Sequence, residues 1–480
     1  MKITEVIFAA CLLPMALLAA CTVGPDYVRP ATETPPSFKE LQGWKVAQPK
    51  DNMIRDAWWE MYGDPQLDEL EDQINISNQN IAAAEAQFRE ARAQVQQARA
   101  GYFPTVGISP SATRSRSSST SVISGTSVSG RGVTTSDFSL PVNATWVPDV
   151  WGRIRRSVES SRASAQASAA DVESARLIAH AEVAQDYFQL RMLDAQKQLL
   201  DTTVSIYQKF LQLTKNKYAT GVSARSDVLV AESQLKTTQA QAIDVGVQRA
   251  QLEHAIAVLI GKPPSAFSIP ASPLALDSVP PVIPVGVPSD LLERRPDIAA
   301  AERLVAAQNA QIGVAEAAFY PTITLSASGG FQSSDISTLL NWPSRIWAIG
   351  AMLSETVFDA GLRSALTDQA RAAYDANVAT YRQTVLAAFQ NVEDNLAALR
   401  ILEQEAVAQD EAVKAAQQSV VIFTNQYKAG TASALDVITV QAIELSDKKT
   451  AIGILGNRMI DSVLLLEALG GGWNSAQLQN

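Results

Sequence analysis

Two hydrophobic periods take turns along the chain. The stretch from Leu362 to Lys428 carries Val378, Tyr381, Val385, Ala388, Val392, Leu399 and Leu402 at spacings of three, four or seven, the seam of a coiled-coil-like helix. It has a counterpart from Arg153 to Ala219, and each stretch of about 67 residues would be on the order of 100 Å long at 1.5 Å per residue. Shorter helices are expected to return over 224–260 and 434–469. Others precede the long ones, from Asp64-Pro65 to about Gly101 and from Pro296-Asp297 to Phe319-Tyr320. Asp64 suits an N-cap and Pro65 the first helical position. At Phe103-Pro104 and Tyr320-Pro321 the helix must stop, because Pro cannot continue it. The period then becomes two. Val106, Ile108 and Pro110 alternate with Thr105, Gly107, Ser109 and Ser111, and Phe138, Leu140, Val142, Ala144 and Trp146 with mostly polar partners. Ile323, Leu325 and Ala327 alternate with Thr322, Thr324, Ser326 and Ser328, and a less regular run spans Arg345 to Val357. These read as four strands of membrane-crossing length, ~9–11 residues of alternation.

The pattern occurs twice. Asn216-Lys217-Tyr218-Ala219-Thr220-Gly221 precedes Asp227-Val228 as Asn425-Gln426-Tyr427-Lys428-Ala429-Gly430 precedes Asp436-Val437, at an offset of 209 that also relates Gly152 to Gly361 and Gly261 to Gly470. An offset of 217 relates Ile81-Ala82-Ala83-Ala84-Glu85 to Ile298-Ala299-Ala300-Ala301-Glu302. A tandem duplication decides the architecture before any motif does. Repeat one is expected over 64–261, with a β-hairpin at about 103–150, a long helix at 153–219 and a returning helix at 224–260. Repeat two is expected over 290–470, with its hairpin at about 321–358, long helix at 362–428 and returning helix at 434–469. A Pro-rich linker, 262–289, joins them, and 471–480 form a tail. A short helix before the strands and a short returning helix together match one long helix, so the two are expected to stack end to end beside it.

The N-terminus changes the setting. Lys2 precedes an apolar run closing in Leu18-Ala19-Ala20-Cys21, the form of an export signal over residues 1–20, with Cys21 placed as the acylated first residue of a lipoprotein. Covalent lipid on Cys21 is the only cofactor-like group expected. Residues 21–63, rich in Pro and Trp, read as an extended arm. Cys11 leaves with the signal, so no internal disulfide can form. The net charge of −10 and pI near 5.0 argue against nucleic-acid binding. Catalysis finds little support: His180 and His254 sit mid-helix, away from any metal-ligand spacing and are expected on helix surfaces, and neither G-x-S-x-G nor a P-loop occurs. No metal site is expected.

Four strands cannot close a barrel, and an open edge in lipid leaves backbone groups unpaired at several kcal/mol each. Several chains must therefore join. Two would give eight strands and a filled interior; strand arithmetic leaves three or four open. Gly221 and Gly430 let the chain reverse at positive φ, and Asp227 and Asp436 fall in the first turn of the returning helices, where a carboxylate complements the helix dipole.

Leu291-Leu292-Glu293-Arg294-Arg295-Pro296-Asp297-Ile298, Leu469-Gly470-Gly471-Gly472-Trp473-Asn474 and the duplicated Tyr-x-x-Gly turns resemble the TolC-like outer-membrane factors. The likeness is nearest to the OprM-like lipoprotein branch serving proton-driven (RND-type) efflux pumps, and it covers essentially the whole mature chain. It implies a mixed α and β fold in which three chains build a twelve-stranded transmembrane β-barrel and an α-barrel of long helices, with the arm, linker and tail in an equatorial belt. It implies outer-membrane localisation extending into the periplasm and passive conduction. The partners implied are a homotrimer, outer-membrane lipid, a periplasmic adaptor and an inner-membrane proton-driven transporter. At the periplasmic tip it implies a gate using Asp436 and Tyr427, with Leu435 where a branch member has an apolar ring, and Asp227 open to both the gate and the dipole reading. Thr439 stands where a second acidic ring is found and Ala432 where some members have a bonding Arg, which implies a weaker or more apolar gate. Thr220-Gly221-Val222 and Ala429-Gly430-Thr431 resemble adaptor-docking tips. A type I secretion or metal-ion duct, a trimeric surface adhesin and a lipid-anchored periplasmic enzyme are the competing readings.

Overall fold

The computed structural model describes residues 22–41, 57–118, 134–275, 278–285 and 287–473. In order, the chain forms α1 (Pro65–Ser77), α2 (Gln79–Ala100), β1 (Thr105–Ile108), β2 (Ser111–Arg116), β3 (Thr134–Trp146), α3 (Arg153–Ala219) and α4 (Arg225–Leu259). The second half follows with α5 (Leu291–Arg294), α6 (Pro296–Ala317), β4 (Thr322–Ser333), β5 (Arg345–Ser354), α7 (Leu362–Ala429) and α8 (Ala434–Ala468). No described helix is long and apolar enough to cross a membrane. The expected signal and Cys21 lie outside the described residues.

The chain divides into two units. The first holds the segment ending at Pro30, Arg89–Ala165 and Glu302–Ala379, and with them the sheet. Its order is β1-β3-β4-β5, all antiparallel, with β2 pairing the same strand as β1. The first expected strand is thus two pieces. Pro110 has no N–H for the ladder, and the chain leaves β-structure at Ser109-Pro110 before rejoining β3 at Ser111 opposite Ser139. β1, β2 and β5 are exposed along their whole length, and on this sheet they hold the open edges. Where strands give way to helices, the Trp151 indole donates to the Pro321 carbonyl (2.8 Å) and stacks on Tyr320, centroids 4.9 Å apart. Trp146 donates to Tyr102 O (3.0 Å). Rings with an apolar body and a polar handle suit a membrane–water boundary.

The arm is fastened to the same unit. Val23 N–H donates to Trp151 O (3.2 Å). The buried Arg156 guanidinium donates to Val23 O (3.2 Å) and Gly24 O (3.0 Å) and pairs with Asp26 (3.1 Å) and Glu159 (2.9 Å).

The second unit holds Ala31–Phe88, Gln166–Ala301 and the chain from Thr380 on. The helix expected over 64–101 is broken at Asn78. Asp64 does cap α1, accepting from Gln66 N at 3.0 Å. Asn78 then caps α2, its Oδ1 accepting from Asn80 N (2.9 Å) and Ile81 N (3.1 Å) while its amide donates to Leu259 O (2.7 Å), the last turn of α4. A buried Asn thus satisfies both helix ends at once. Shifted by the two repeat offsets, the same junction joins Arg295 to Ala468: Arg295 Nη1 donates to Ala468 O (3.0 Å) where α6 meets α8. It is α2 with α4, and α6 with α8, that meet end to end.

The linker is stapled to α3 and α4 by one charged cluster. Asp194 accepts from Arg249 Nε (2.7 Å), Arg191 Nη1 (3.1 Å) and Ser272 N (3.0 Å), and the two arginines reach Ile269 O (2.7 Å) and Pro270 O (2.8 Å). Glu393 on α7 likewise accepts from the backbone of Lys39 (2.7 Å) and Glu40 (2.9 Å).

His180, expected on a helix surface, is buried. Its ring stacks on Trp59 at 4.3 Å, Nδ1 lies 2.7 Å from Glu71 Oε2, and Nε2 lies 3.3 Å from Asn75 Oδ1. Burial, with Asp68 and Asp72 nearby, pushes Glu71 well up; burial, with Arg176 nearby, brings His180 down to about 4. The pair therefore rests as a protonated Glu71 donating to a neutral imidazole, whose Nε2–H faces Asn75. Unfolded, the carboxyl ionises near 4.5 and the imidazole near 6.5. Between those values both states hold one proton and the pair is indifferent to pH. Above 6.5 the unfolded chain has lost its proton, and stability falls with rising pH for as long as Glu71, raised by burial, holds its own in the folded state. Glu71→Gln, which keeps a donor and cannot ionise, is expected to gain on the wild type in thermal midpoint as pH rises from 6 to 8; parallel midpoints would refute the assignment.

Candidate functional site

The informative polar positions gather where the long helices turn back, α3 into α4 and α7 into α8. Each turn closes alike. Gly221 N donates to Tyr218 O (3.0 Å) and Val222 N to Lys217 O (2.9 Å); Gly430 N donates to Tyr427 O (3.2 Å) and Thr431 N to Gln426 O (2.9 Å). Both glycines are left-handed, φ +73° and +84°, the conformation that lets the chain end a helix and reverse. Thr220, Val222, Ala429 and Thr431 are exposed around them.

The two carboxylates cap the returning helices. Asp227 Oδ2 accepts from Ser223 Oγ (2.6 Å) and Ala224 N (3.2 Å). Asp436 Oδ2 accepts from Ser433 Oγ (2.7 Å) and Ser433 N (2.8 Å), and Ser433 Oγ accepts in return from Asp436 N (3.2 Å). This reciprocal box satisfies donors that a helix start would otherwise leave bare. The Ser433 hydroxyl, then its backbone N–H, hold Asp436 below the ordinary carboxylate range. Asp436 stays exposed, and so do Leu435 (61%) and Thr439, whose hydroxyl donates to Leu435 O (2.8 Å).

Tyr427 is elsewhere. It is buried between the two hairpins, among Tyr207, Phe210, Leu211, Ala231, Leu235, Val437 and Ile438, with Ala432 against the same cluster. Its hydroxyl donates to Thr214 (3.3 Å) and its ring tilts on Phe210. Lys217 covers it: the ammonium lies 3.9 Å from the ring centroid and donates to the Tyr427 carbonyl. The sequence reading passed over Lys217. The available signal was a mismatch, since Lys217 is matched by Gln426 while its neighbours Asn216 and Tyr218 recur as Asn425 and Tyr427.

Among the described residues no group of three or more His, Cys, Asp or Glu could hold a metal ion. What the geometry offers is two paired hairpin ends, bare at their tips, and a sheet with both edges open, the parts of an oligomeric outer-membrane channel. The family comparison agrees. The outer membrane efflux protein model matches residues 70–262 and 287–471, leaving out the linker, and the chain belongs to that family. It is 30% identical over 463 residues to the toluene efflux pump outer membrane protein TtgC of Pseudomonas putida, covering 95% of this chain and 94% of that one. It is 29% identical over 467 residues to the cation efflux system protein CusC of Escherichia coli, covering 96% and 99%. The solved structure of the outer-membrane channel OprN matches with a TM-score of 0.88 at 29% identity, covering 94% of this chain and all of that one. The TolC-like resemblance thus holds, with its mixed α and β trimeric channel fold and its function as the outer-membrane duct of a tripartite efflux pump.

Proposed function

We propose that the chain is a passive exit duct, performing no chemistry, that carries small organic toxicants delivered by an inner-membrane proton-driven transporter through a periplasmic adaptor. Three copies of the α7–α8 tip shut it at rest with Leu435 and Asp436, Thr439 and Asp227 lie at the rim, and Tyr427 holds the tip to its neighbour. The observation that carries the reading is an apolar side chain left exposed beside an exposed acid at a helix turn. In a lone chain Leu435 has nothing to cover it, and around a three-fold axis its copies would cover one another. Relatives named for toluene and for cations stand at nearly equal identity, which supports a duct whose cargo is chosen by the transporter. Covalent lipid on Cys21 fits the arm, because residues 22–24 are tied beside Trp151 and Tyr320, at the level where an acyl chain would enter the membrane.

Docking is assigned to Thr220, Gly221, Val222, Ala429, Gly430 and Thr431. Val222 is 71% exposed, so a charge placed there stays in solvent in the lone chain. Val222→Glu is expected to leave single-channel conductance in planar bilayers unchanged while raising drug susceptibility of the complemented cell at least fourfold. Full resistance with this variant would remove Val222 from the docking surface; no conductance from the wild type would remove the duct.

A further inference from the structure

Register decides which residues share a face of the sheet, because antiparallel partners point the same way. The pairs Leu140–Phe331 and Trp146–Leu325, with Phe331–Arg345, Gly329–Trp347 and Ala327–Ile349, gather an apolar face. Asn143, Thr145, Ser326 and Ser328 take the other. The apolar face is the one that meets lipid in a closed barrel, and Trp347 and Ile349 are 76% and 78% exposed on it.

That face ends in arginine. Arg345 lies directly beside Phe331. On β2, Ala112 pairs with Phe138, so Arg114 and Arg116, two and four residues on, point the same way. All three sit at the hairpin end of the sheet, away from α2, α3, α6 and α7, and so at the outer end of a channel whose helices lie in the periplasm. All three are exposed. None of the three guanidiniums has a hydrogen bond or ion pair among the described residues; Arg345 lies over the Trp342 ring, 4.1 Å from its centroid. The carboxylates described at this end are engaged elsewhere. Asp137 is on the polar face and accepts from Gln332 (2.8 Å), and Asp335 accepts from Ser337 N (2.9 Å) and Oγ (2.8 Å) in its own turn. Beyond the other end of β5, by contrast, Arg363 is filled by Asp359 (2.6 Å), Glu355 (3.0 Å) and Thr356 O (2.6 Å). A chain of net charge −10 thus leaves this rim basic.

β2 lies at one edge of the sheet and β5 at the other. When chains close the ring, β5 of one copy lies about 4.8 Å from β2 of the next, and Arg345 joins the neighbour's Arg114 and Arg116. Like charges on adjacent strands are destabilising, so each seam of the rim calls for an anion. A guanidinium binds phosphate bidentately, and the apolar strip just below accepts acyl chains. A free anion would satisfy the arginines alone; a phosphorylated lipid satisfies both.

We propose that the outer rim of the barrel is a docking surface for phosphorylated lipid of the outer leaflet. Arg345 of one copy and Arg114 and Arg116 of the next hold its phosphates, while Trp347 and Ile349 lie against its chains. The proposal rests on the trimeric channel fold and on neither the tip gate nor the cargo, so the conductance and susceptibility tests can fail while it stands.

Native mass spectrometry of the full-length trimer in detergent tests it, with lipid A carrying both phosphates, the same lipid stripped of them, and inorganic phosphate as probes. The wild type is expected to retain the phosphorylated lipid at least tenfold better than the stripped one. Arg114→Gln/Arg116→Gln/Arg345→Gln, changed only at exposed positions, is expected to assemble and to retain the two lipids alike, and lysine at the same three positions is expected to restore a preference of at least threefold. If the triple glutamine variant fails to assemble, Arg345→Gln alone carries the test, with an expected loss of preference of at least threefold. Equal retention of both lipids by the wild type, or an undiminished preference in the glutamine variants, would overturn the proposal. Displacement of the lipid by millimolar inorganic phosphate would overturn it too, by marking a site for free anions and not for a lipid surface.

Discussion

Asp436→Ala with Leu435→Ala is expected to raise the resting single-channel conductance about tenfold and to sensitise cells to large antibiotics that the closed duct excludes. The difficulty is to separate a lost gate from a frayed helix. Asp436 closes a capping box with Ser433, and losing such a cap weakens the start of the helix. Asp227 supplies the internal control, since its carboxylate likewise accepts from a helix-start N–H, that of Ala224, and from the Ser223 hydroxyl and is half-buried. If fraying opened the channel, Asp227→Ala would open it as well. If three exposed Leu435 and Asp436 side chains hold it shut, Asp227→Ala should conduct within twofold of the wild type. An ordinary carboxylate titrates near 3.8, and Asp436 is held lower by Ser433. Its depressed value means that the cap is fully present above 3.8 and is lost as pH falls through the folded-state value. Acid leakage confined to pH below about 4, and absent from the Asp436→Ala chain, would tie the closed state to the ionised form.

Much of this fold was open to reading because long helices advertise themselves. Stretches of about 67 residues of coiled-coil spacing, ended by Gly turns and bounded by Pro, leave little else to build, and Asp64-Pro65 states a helix start in two residues. The breaks were hidden for the opposite reason. Asn78 suits an N-cap but stands inside an unbroken helical pattern; the break is held there by the Leu259 carbonyl, far along the chain, which takes its amide. Pro110 was visible, but side-chain alternation across it masked the missing ladder donor. His180 carried no sign of burial, since its partners Glu71, Asn75 and Trp59 come from distant segments. At the tips, the acids could be placed in the first helical turn from spacing alone. The Lys217–Tyr427 contact joins two hairpins and has no period to betray it.

Gly470→Ala is expected to cut the assembled trimer in the outer membrane to below a tenth of the wild-type amount. The backbone at Gly470 is left-handed, φ +93°, and a Cβ there would lie 2.2 Å from the Arg294 carbonyl oxygen and 2.8 Å from its carbon. Left-handed backbone alone costs a non-glycine residue about 1–2 kcal/mol. Gly430 and Gly221 measure that part by itself, because a Cβ at either meets nothing within 4 Å. Gly430→Ala should therefore assemble normally and melt only slightly earlier. At Gly470 the clash is with backbone, which no rotamer relieves, so the end of α8 must move away from α6 and release the Arg295–Ala468 bond that joins them. Together these are worth roughly 3–5 kcal/mol, the range of severe single substitutions. Gly261 repeats the arrangement with φ +69° and a Cβ 2.2 Å from Ser77 O, so Gly261→Ala should fail in the same way, read as loss of the heat-stable oligomer band and of outer-membrane protein. Trimer yields for Gly470→Ala equal to those for Gly430→Ala would show that the helix ends need not meet, and the end-to-end stacking that lets two short helices match a long one would lose its physical basis.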